Sequence, residues 1–230
     1  MHPVLFGHLA IKYSSFILCL AVLCTAAVAH AQDPPPKIGP FVVDLHATVP
    51  KYPSSPLLAA SHDVVVAELP GRGLGVQVGG QVYFFRWRAV TFGIGGEYAA
   101  SRSRKSPPDR QASSTATATT ALRETEEQFS SAGSALSFNF GTGHGWSYIS
   151  GGIGQSTWSV IPVGRAALPS DQALLKTINY GGGARWFAKA HVAFSFDVRF
   201  YAINPGPAFL DFPGSPRTTM LVIGAGVSVK

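Results

Sequence analysis

Residues 192–200 alternate strictly between large apolar side chains and small or polar ones. The even positions hold Val192, Phe194, Phe196, Val198 and Phe200, and the odd positions hold Ala193, Ser195, Asp197 and Arg199. Because successive side chains of a β-strand point to opposite faces, this period predicts a strand with one apolar and one polar face. No window of about 11 residues or more keeps a helical period near 3.6, so we expect an all-β fold.

Seven further segments show the period of two, and eight strands are therefore predicted. These segments are residues 41–48, 74–84, 90–98, 133–140, 146–158, 177–187 and 219–229. The connections between the eight segments alternate strictly in length. The short ones lie around residues 86–88, 141–145 and 188–190, and the long ones cover residues 49–73, 100–124, 159–175 and 202–217.

This alternation of short and long connections separates two all-β architectures. A soluble sandwich with Greek-key crossovers has no reason to place every long loop at one end. A transmembrane barrel does, since short periplasmic turns and longer extracellular loops join its strands. Only 13% of the residues are charged and 46% are hydrophobic, whereas soluble domains carry about 25% charged residues. The sequence therefore predicts an eight-stranded antiparallel up-and-down transmembrane β-barrel.

The polar faces of the strands indicate the contents of this barrel. They carry mostly Gly, Ser, Thr, Gln and Asn, which suit a narrow wet lumen better than the outer surface of a soluble protein. Aromatic residues lie near both ends of the strands, and this placement predicts two interfacial belts. Trp87, Trp146 and Trp186 lie near the short turns, and Tyr98, Trp158 and Tyr201 lie at the other end.

The first 31 residues have the pattern of a cleaved signal peptide. Lys12 is the only charged residue among the first 13, residues 16–29 are almost wholly apolar, and small residues flank His30. We expect cleavage after Ala31, which leaves residues 32–230 as the barrel domain. Both cysteines lie in the removed segment, so the mature chain has neither disulfides nor Cys-ligated zinc.

Two strand pairs carry a family resemblance. Residues 79–84 followed by 90–94, and residues 180–187 followed by 191–201, resemble hairpins of small outer membrane β-barrel proteins, the outer membrane protein A barrel and its relatives. The resemblance implies a bacterial outer membrane location with lipid, lipopolysaccharide and the barrel assembly machinery as partners. Such barrels commonly end in an aromatic residue, whereas this chain ends in Lys230.

Several charged residues share the polar phase of the strands. A charge that faces lipid near the bilayer midplane costs several kcal/mol, so we expect these side chains to point into the lumen and to pair there. They are Asp44, Glu97, Arg185, Asp197 and Arg199, with His46 beside them. The interior of an eight-stranded barrel is nearly filled by side chains, which favours a polar plug over a conducting pore.

Catalysis has one candidate cluster. His191, Ser195 and Asp197 share a face and resemble the residues of membrane-embedded acyl hydrolases that remodel lipid A. That face is the lumen, and His191 lies about 13 Å from Ser195 along an extended strand, beyond hydrogen-bond reach. His62 and His144 are expected to be solvated rather than metal-bound. The Gly-rich residues 71–75 and 151–154 complete no nucleotide-binding motif, so we expect neither a metal nor a cofactor.

Two long loops contain candidate contact residues. The basic residues Arg102, Arg104 and Lys105 precede a Ser/Thr/Ala tract that is expected to be disordered, and they could contact anionic phosphates or an external polyanion. Phe209 and Phe212 lie among prolines in the last loop, as a contact patch or as a lid over the barrel mouth.

The sequence thus favours a non-enzymatic outer membrane barrel with a structural or surface-interaction role and no nucleic-acid partner. The alternatives are a narrow porin-like channel, a lipid A-modifying enzyme and a soluble lipocalin-like binder.

Overall fold

The computed structural model describes residues 36–107 and 122–230. The signal peptide and the Ser/Thr/Ala tract, both predicted from the sequence, lie outside these ranges. The strands are β1 (Phe41–Lys51), β2 (Leu74–Trp87), β3 (Val90–Lys105), β4 (Thr125–Thr142), β5 (Gly145–Pro162), β6 (Leu175–Phe187), β7 (Val192–Ile203) and β8 (Thr218–Val229). One short helix, α1 (Pro56–Ser61), and two 3₁₀ turns (Val66–Glu68 and Pro169–Gln172) lie in the loops between them.

The eight strands form a closed antiparallel barrel in which each strand pairs with the next one along the chain. β1 closes the barrel, since it pairs with β2 on one side and with β8 on the other. The predicted eight-stranded up-and-down topology is confirmed. Short turns join the strands at one end. The long connections are loop 1 (52–73), loop 2 (106–124), loop 3 (163–174) and loop 4 (204–217). No helix in the described ranges is long and apolar enough to span a membrane.

The two faces of each strand have the predicted phase. On β7 the side chains of Ser195 and Asp197 are fully buried inside the barrel, whereas Phe194 is 57% exposed on the outer wall. The same arrangement holds on β1, where Asp44 and His46 are buried and Leu45 is 52% exposed. The outer wall of the barrel is therefore apolar and the interior is largely polar.

The strands are longer than the sequence patterns predicted, and three of them extend furthest beyond the predicted segments. β3 continues to Lys105, β4 begins at Thr125 and β5 continues to Pro162. Assignment of residues 100–105 to a loop was therefore wrong. On β3 and β4 the outward side chains of these segments are small, polar or charged, so the apolar outer face that marks a strand in the sequence ends before the strand does. Cross-strand ion pairs and buried inward side chains such as Ser103 stabilise them instead.

The aromatic belts are only partly present. Trp87, Trp186 and Tyr98 face outward, with at least half of each side chain exposed. Trp146, Trp158 and Tyr201 face inward and are at most 3% exposed, so their assignment to the belts was wrong. Position near a strand end does not fix the face, whereas the odd or even position along the strand does.

Apolar clusters fill both ends of the barrel. At the turn end, Ile38, Val42 and Trp146 pack together with Tyr83 and Phe187. At the loop end a larger cluster joins loop 1 to the inner faces of the strands. Small residues make room for the interior side chains: a Cβ on Gly93 would lie 2.7 Å from Ser137 Oγ and 2.9 Å from the Tyr83 ring. The polar side chains lie between the two clusters.

Candidate functional site

The interior charges begin with a buried ion pair between β6 and β1. Arg185 donates two hydrogen bonds to Asp44, from Nε to Oδ1 at 2.8 Å and from Nη2 to Oδ2 at 2.6 Å. Ser228 on β8 also donates to Asp44 Oδ1. The guanidinium carbon lies 4.0 Å from the centre of the Tyr148 ring. The fork geometry and the aromatic face together stabilise a charge that is only 1% exposed.

A second guanidinium connects two further carboxylates. Arg199 on β7 lies 3.1 Å from Asp197 Oδ2 and, through Nη1, 3.0 Å from Glu97 Oε2 on β3. Tyr148 donates to Asp197 at 2.6 Å, and Tyr201 donates to Glu97 at 3.2 Å. Asp44, Glu97, Asp197, Arg185 and Arg199, hereafter the lumen network, thus come from four different strands, β1, β3, β6 and β7.

The sixth residue, His46, pairs with a serine. Its Nε2 lies 2.8 Å from Ser195 Oγ, and both side chains are at most 2% exposed. Ser195 therefore has a histidine partner, but this is His46 from β1 rather than His191. His191 is exposed at the turn end, where its Nδ1 lies 3.1 Å from the backbone oxygen of Lys230. The structure does not bring His191, Ser195 and Asp197 together as a catalytic cluster.

The lumen network leaves little free space. The cavity that it borders has a volume of about 20 Å³, lined by Asp44, His46, Gln77, Gly79, Gly80, Gln81, Gly95, Gly96, Glu97, Ala135, Tyr148, Arg185 and Arg199. A water molecule needs roughly 10–15 Å³ in such a measure, so the cavity accommodates about one. Within the described ranges, no group of three His, Cys, Asp or Glu residues is placed to hold a metal ion.

Sequence reasoning missed the tyrosines of this site. Tyr148 and Tyr201 are buried and hydrogen-bonded to Asp197 and Glu97. Both have the inward phase, Tyr148 two residues after Trp146 on β5 and Tyr201 two residues after Arg199 on β7. The inward phase of Arg199 could have identified Tyr201, but its size and position suggested an interfacial belt, whereas Tyr148 was not singled out from the sequence.

Loop 1 closes the loop end of the barrel. Pro56 starts α1, and the Ser55 hydroxyl accepts a hydrogen bond from the Leu58 backbone at 3.2 Å. Leu58 and Ala59 are at most 2% exposed in the apolar cluster. The other members of the cluster are Tyr52, Val64, Leu69, Ala99, Phe129, Trp158, Val160, Leu175, Tyr201, Ile203, Met220 and Val222. Packing in this cluster holds loop 1 over the mouth.

His62 connects loop 1 to loop 3, and the expectation that it is solvated was wrong. Its Nδ1 lies 2.8 Å from Asp171 Oδ1, and its side chain is 2% exposed. Burial disfavours the charged form of Asp171, but hydrogen bonds from His62 and from the backbone of Leu168 and Val160 outweigh it and lower the pKa of this carboxyl. Arg165 donates to the His62 backbone oxygen at 2.8 Å.

A second clamp joins loop 1 to loop 2. The Arg123 backbone donates to Glu68 Oε1 at 2.7 Å, and its guanidinium lies 3.3 Å from Glu68 Oε2. Burial opposes ionisation of Glu68, yet the bonds from Arg123 and from the Val65 backbone lower its pKa below the ordinary value. Loop 1 is therefore bonded to both loop 2 and loop 3 at the mouth of the barrel.

The predicted basic contact residues lie on β3 and are largely neutralised. Arg102 pairs with Glu126, and Arg104 pairs with Glu124 through Nε at 2.7 Å. Lys105 donates to the Leu69 backbone oxygen at 3.0 Å. Arg102 and Arg104 nevertheless remain exposed on the outer wall above the apolar surface.

The two phenylalanines of loop 4 pair with each other. Phe209 and Phe212 exchange backbone hydrogen bonds of 3.1 and 3.0 Å, and their side chains are half-buried. The tip residue Leu210 has a φ of 50° and is 81% exposed. Loop 4 therefore presents Leu210 to solvent, while the phenylalanines form the base of a small hairpin.

Comparison with known proteins supports the fold alone. No protein-family model and no curated protein matches the chain. Neisserial surface protein A matches with a TM-score of 0.51 and 16% identity over 84% of this chain and 97% of that one. Two lower-scoring matches cover most of both chains. Ail of Yersinia pestis, in complex with the heparin analogue sucrose octasulfate, has a TM-score of 0.43, 12% identity and coverages of 82% and 95%. AlkL, solved by solid-state NMR in DMPC bilayers, has a TM-score of 0.39, 11% identity and coverages of 88% and 94%.

The chain has the fold of the small eight-stranded outer membrane β-barrels. The closed strand order, the apolar outer wall and the similarity to the Neisserial barrel all agree on this class. The resemblance of the two strand pairs to such barrels is therefore confirmed.

Proposed function

We propose that the mature chain, residues 32–230, is a non-enzymatic barrel of the bacterial outer membrane with a structural or surface-interaction role. Export through a signal peptide cleaved after Ala31 would bring it there. The observation that carries the proposal is the closure of the barrel interior by the lumen network and by the apolar clusters at both ends. The apolar outer wall suits hydrocarbon as its surroundings.

A plugged lumen is favoured over a narrow channel. Conduction needs a continuous polar path, whereas the free volume beside the lumen network is about 20 Å³. Loop 1 adds an apolar cover, because Leu58 and Ala59 pack into the cluster above the charges. Removing Asp44, Arg185 or Arg199 alone would leave a buried charge unpaired, which is costly.

The interior is also unsuited to acyl-ester chemistry. Ser195 and His46 form a close pair, but both are buried below the apolar cover, where an acyl ester in the membrane does not reach. His191 lies away from this pair at the turn end. A structural role for the pair accounts for its burial.

We assign the interaction role to the outer surface at the loop end. Arg102 and Arg104, although paired with glutamates, border the upper edge of the apolar wall, where phosphates of lipid and lipopolysaccharide would lie. Lys105 helps to hold loop 1, and Phe209 and Phe212 support the exposed Leu210. These residues offer a mixed charged and apolar surface to partners outside the cell.

Fractionation with gel mobility and protease shaving tests the proposal. We expect the protein in the outer membrane fraction, with faster migration before heating than after it, as a closed barrel gives. External protease should cut only in the long loops, and planar bilayers with the purified protein should show no conductance steps. Recovery in a soluble fraction without detergent, regular conductance steps, or altered lipid A on expression that disappears in His191→Ala would each contradict it.

A further inference from the structure

A groove of about 610 Å³ runs along the outer wall of β4, β5 and β6 near the loop end. Its lining residues are Ser134, Ile153, Gly154, Gln155, Lys176, Thr177, Ile178 and Asn204. Strand pairing sorts the outward side chains into two rows. Gln155 lies directly opposite Lys176, and Ile153 lies directly opposite Ile178. The groove is therefore polar along its upper row and apolar along its lower row.

The height of the groove matches the outer boundary of a bilayer. The outward side chains of β6 run from Lys176 near one end to Trp186 near the other. Ten residues at about 3.3 Å each, tilted by about 40°, span roughly 25 Å, the height of the apolar band of such barrels. With Trp186 at the inner interface, Lys176 lies at the outer interface and Ile178 lies just within hydrocarbon.

Lys176 has no carboxylate partner among the described residues, unlike the paired arginines Arg102 and Arg104 of the outer wall. Within the described ranges, no carboxylate lies within 4 Å of its ammonium group, whereas Arg102 and Arg104 have glutamate partners. Asn204 adjoins it, since the Asn204 backbone donates to the Lys176 oxygen at 3.0 Å. Arg217 donates to Asn204 Oδ1 at 3.4 Å and brings a second cation to the upper row.

We propose that this groove, hereafter the β4–β6 groove, binds an acyl lipid that carries an anionic phosphate. Lys176 holds the phosphate, with the amides of Gln155 and Asn204 as further donors, and an acyl chain lies over Ile153 and Ile178. The small outward side chain of Ser134, which lies between Gly96 and Ile153 on the adjacent strands, makes room for the chain. The inference rests on the proposed membrane location and adds a ligand class and a site to it.

Native mass spectrometry of the detergent-purified full barrel tests the site. The probes are phosphatidylglycerol, phosphatidylcholine with the same acyl chains, and lipid A, each at equal concentration. We expect at least one anionic lipid to be retained about fivefold more than phosphatidylcholine, the effect of about one cation beside an anionic headgroup. The anionic lipid that is retained more strongly identifies the source of the phosphate.

Three variants distinguish a specific lipid-binding site from non-specific attraction of anionic lipids to the basic protein. Lys176→Gln should lower retention of the anionic lipid to the phosphatidylcholine level, whereas Lys51→Gln, which removes a cation at the same end of another strand, should keep it. Ser134→Leu fills the groove and should lower retention of all three lipids. Equal retention of charged and neutral lipids by the wild type, equal losses in the two lysine variants, or unchanged retention in Ser134→Leu would overturn the inference.

The closed fold of each variant is checked by heat-modifiable gel mobility. A barrel that shows this shift in the outer membrane fraction but binds no lipid selectively contradicts the β4–β6 groove alone. Absence of the wild-type protein from the outer membrane contradicts the proposed function instead.

Discussion

At the scale of single residues, the barrel depends on buried charges that are tolerable only in pairs. Arg185 and Asp44 are joined by two short hydrogen bonds with almost no exposure. Such a pair contributes little net stability relative to apolar residues, because desolvation offsets the attraction. Loss of one partner is different, since it leaves an uncompensated charge in the interior.

We therefore expect Arg185→Gln to lower the free energy of unfolding by about 3–5 kcal/mol. The double variant Asp44→Asn with Arg185→Gln should recover a large part of this loss, because neither remaining side chain carries a charge. Equilibrium urea unfolding in lipid vesicles, followed by tryptophan fluorescence, measures both. Lys189→Gln, in an exposed turn, is the control and should change stability by less than about 0.5 kcal/mol. A double variant as unstable as Arg185→Gln would show that the ion pair is not the cause.

At the scale of secondary-structure elements, each strand directs alternate side chains into the barrel interior and onto the outer wall. β7 carries Asp197 and Arg199 inward and Phe196 and Val198 outward. The cost of a misplaced charge should then depend on depth in the bilayer. Val198 lies near the middle of the outer face of β7, and Thr219 lies at the loop end of β8.

Val198→Arg is expected to destabilise the barrel by about 2–4 kcal/mol, since it places a cation near the bilayer midplane. Thr219→Arg should cost only about 0–1 kcal/mol, because its side chain reaches the interface. The same unfolding measurement in vesicles gives both values. Equal costs at the two positions would contradict a bilayer around this wall.

Loop 1 is an element held by titratable contacts. The pKa of Asp171 is lowered in the folded protein, where hydrogen bonds from His62 and two backbone groups outweigh burial. A carboxyl with a lowered pKa contributes stability that is complete above its ordinary value, about 4, and is lost as the pH falls through the folded value. Glu68, with a lowered pKa and a bond from Arg123, acts in the same direction.

Loop 1 should accordingly open more readily in acid. The measurement is hydrogen exchange of residues 56–62, corrected for intrinsic rates. At pH 7 the wild-type protein should be protected about tenfold or more above Asp171→Asn, because hydrogen bonds to a charged group contribute about 1.5–3 kcal/mol. The gap should narrow below about pH 4 as Asp171 is protonated. Asp211→Asn, in the exposed part of loop 4, should leave protection unchanged. A gap that does not narrow at all as the pH falls below about 4 would exclude Asp171 as the titrating group.

The sequence predicted the strands where apolar and polar residues alternate, and it failed where that contrast ends. β7 is apparent from Val192 to Phe200 because one face meets apolar surroundings. Arg102 and Arg104 continue the same strand geometry, but they are stabilised by Glu126 on β4 and Glu124 at the end of loop 2, which lie beyond the reach of the local pattern. The His62 pair depends in the same way on a contact between loops 1 and 3. Local patterns do not contain these long-range partners.

At the scale of the whole molecule, the interior is closed at three successive levels. The cluster around Ile38 and Trp146 fills the turn end, the lumen network fills the middle, and the cluster beneath loop 1 fills the loop end. The two end levels consist of apolar packing, whereas the middle level consists of ion pairs. An opening at one level leaves the other two in place.

Single changes are therefore not expected to create a pore. Arg199→Ser removes the guanidinium that connects Asp197 and Glu97. The middle of the interior nevertheless remains covered by Leu58 and Trp158 at the loop end and by Trp146 at the turn end. Replacement of residues 53–70 by a short Gly/Ser linker exposes the loop-end cluster but leaves Arg185, Arg199 and their carboxylates in place. Neither variant should show conductance steps in planar bilayers, provided that heat-modifiable mobility confirms a closed barrel. Steps in Arg199→Ser alone would mean that the lumen network is the sole barrier, and the apolar clusters would then be permeable to ions.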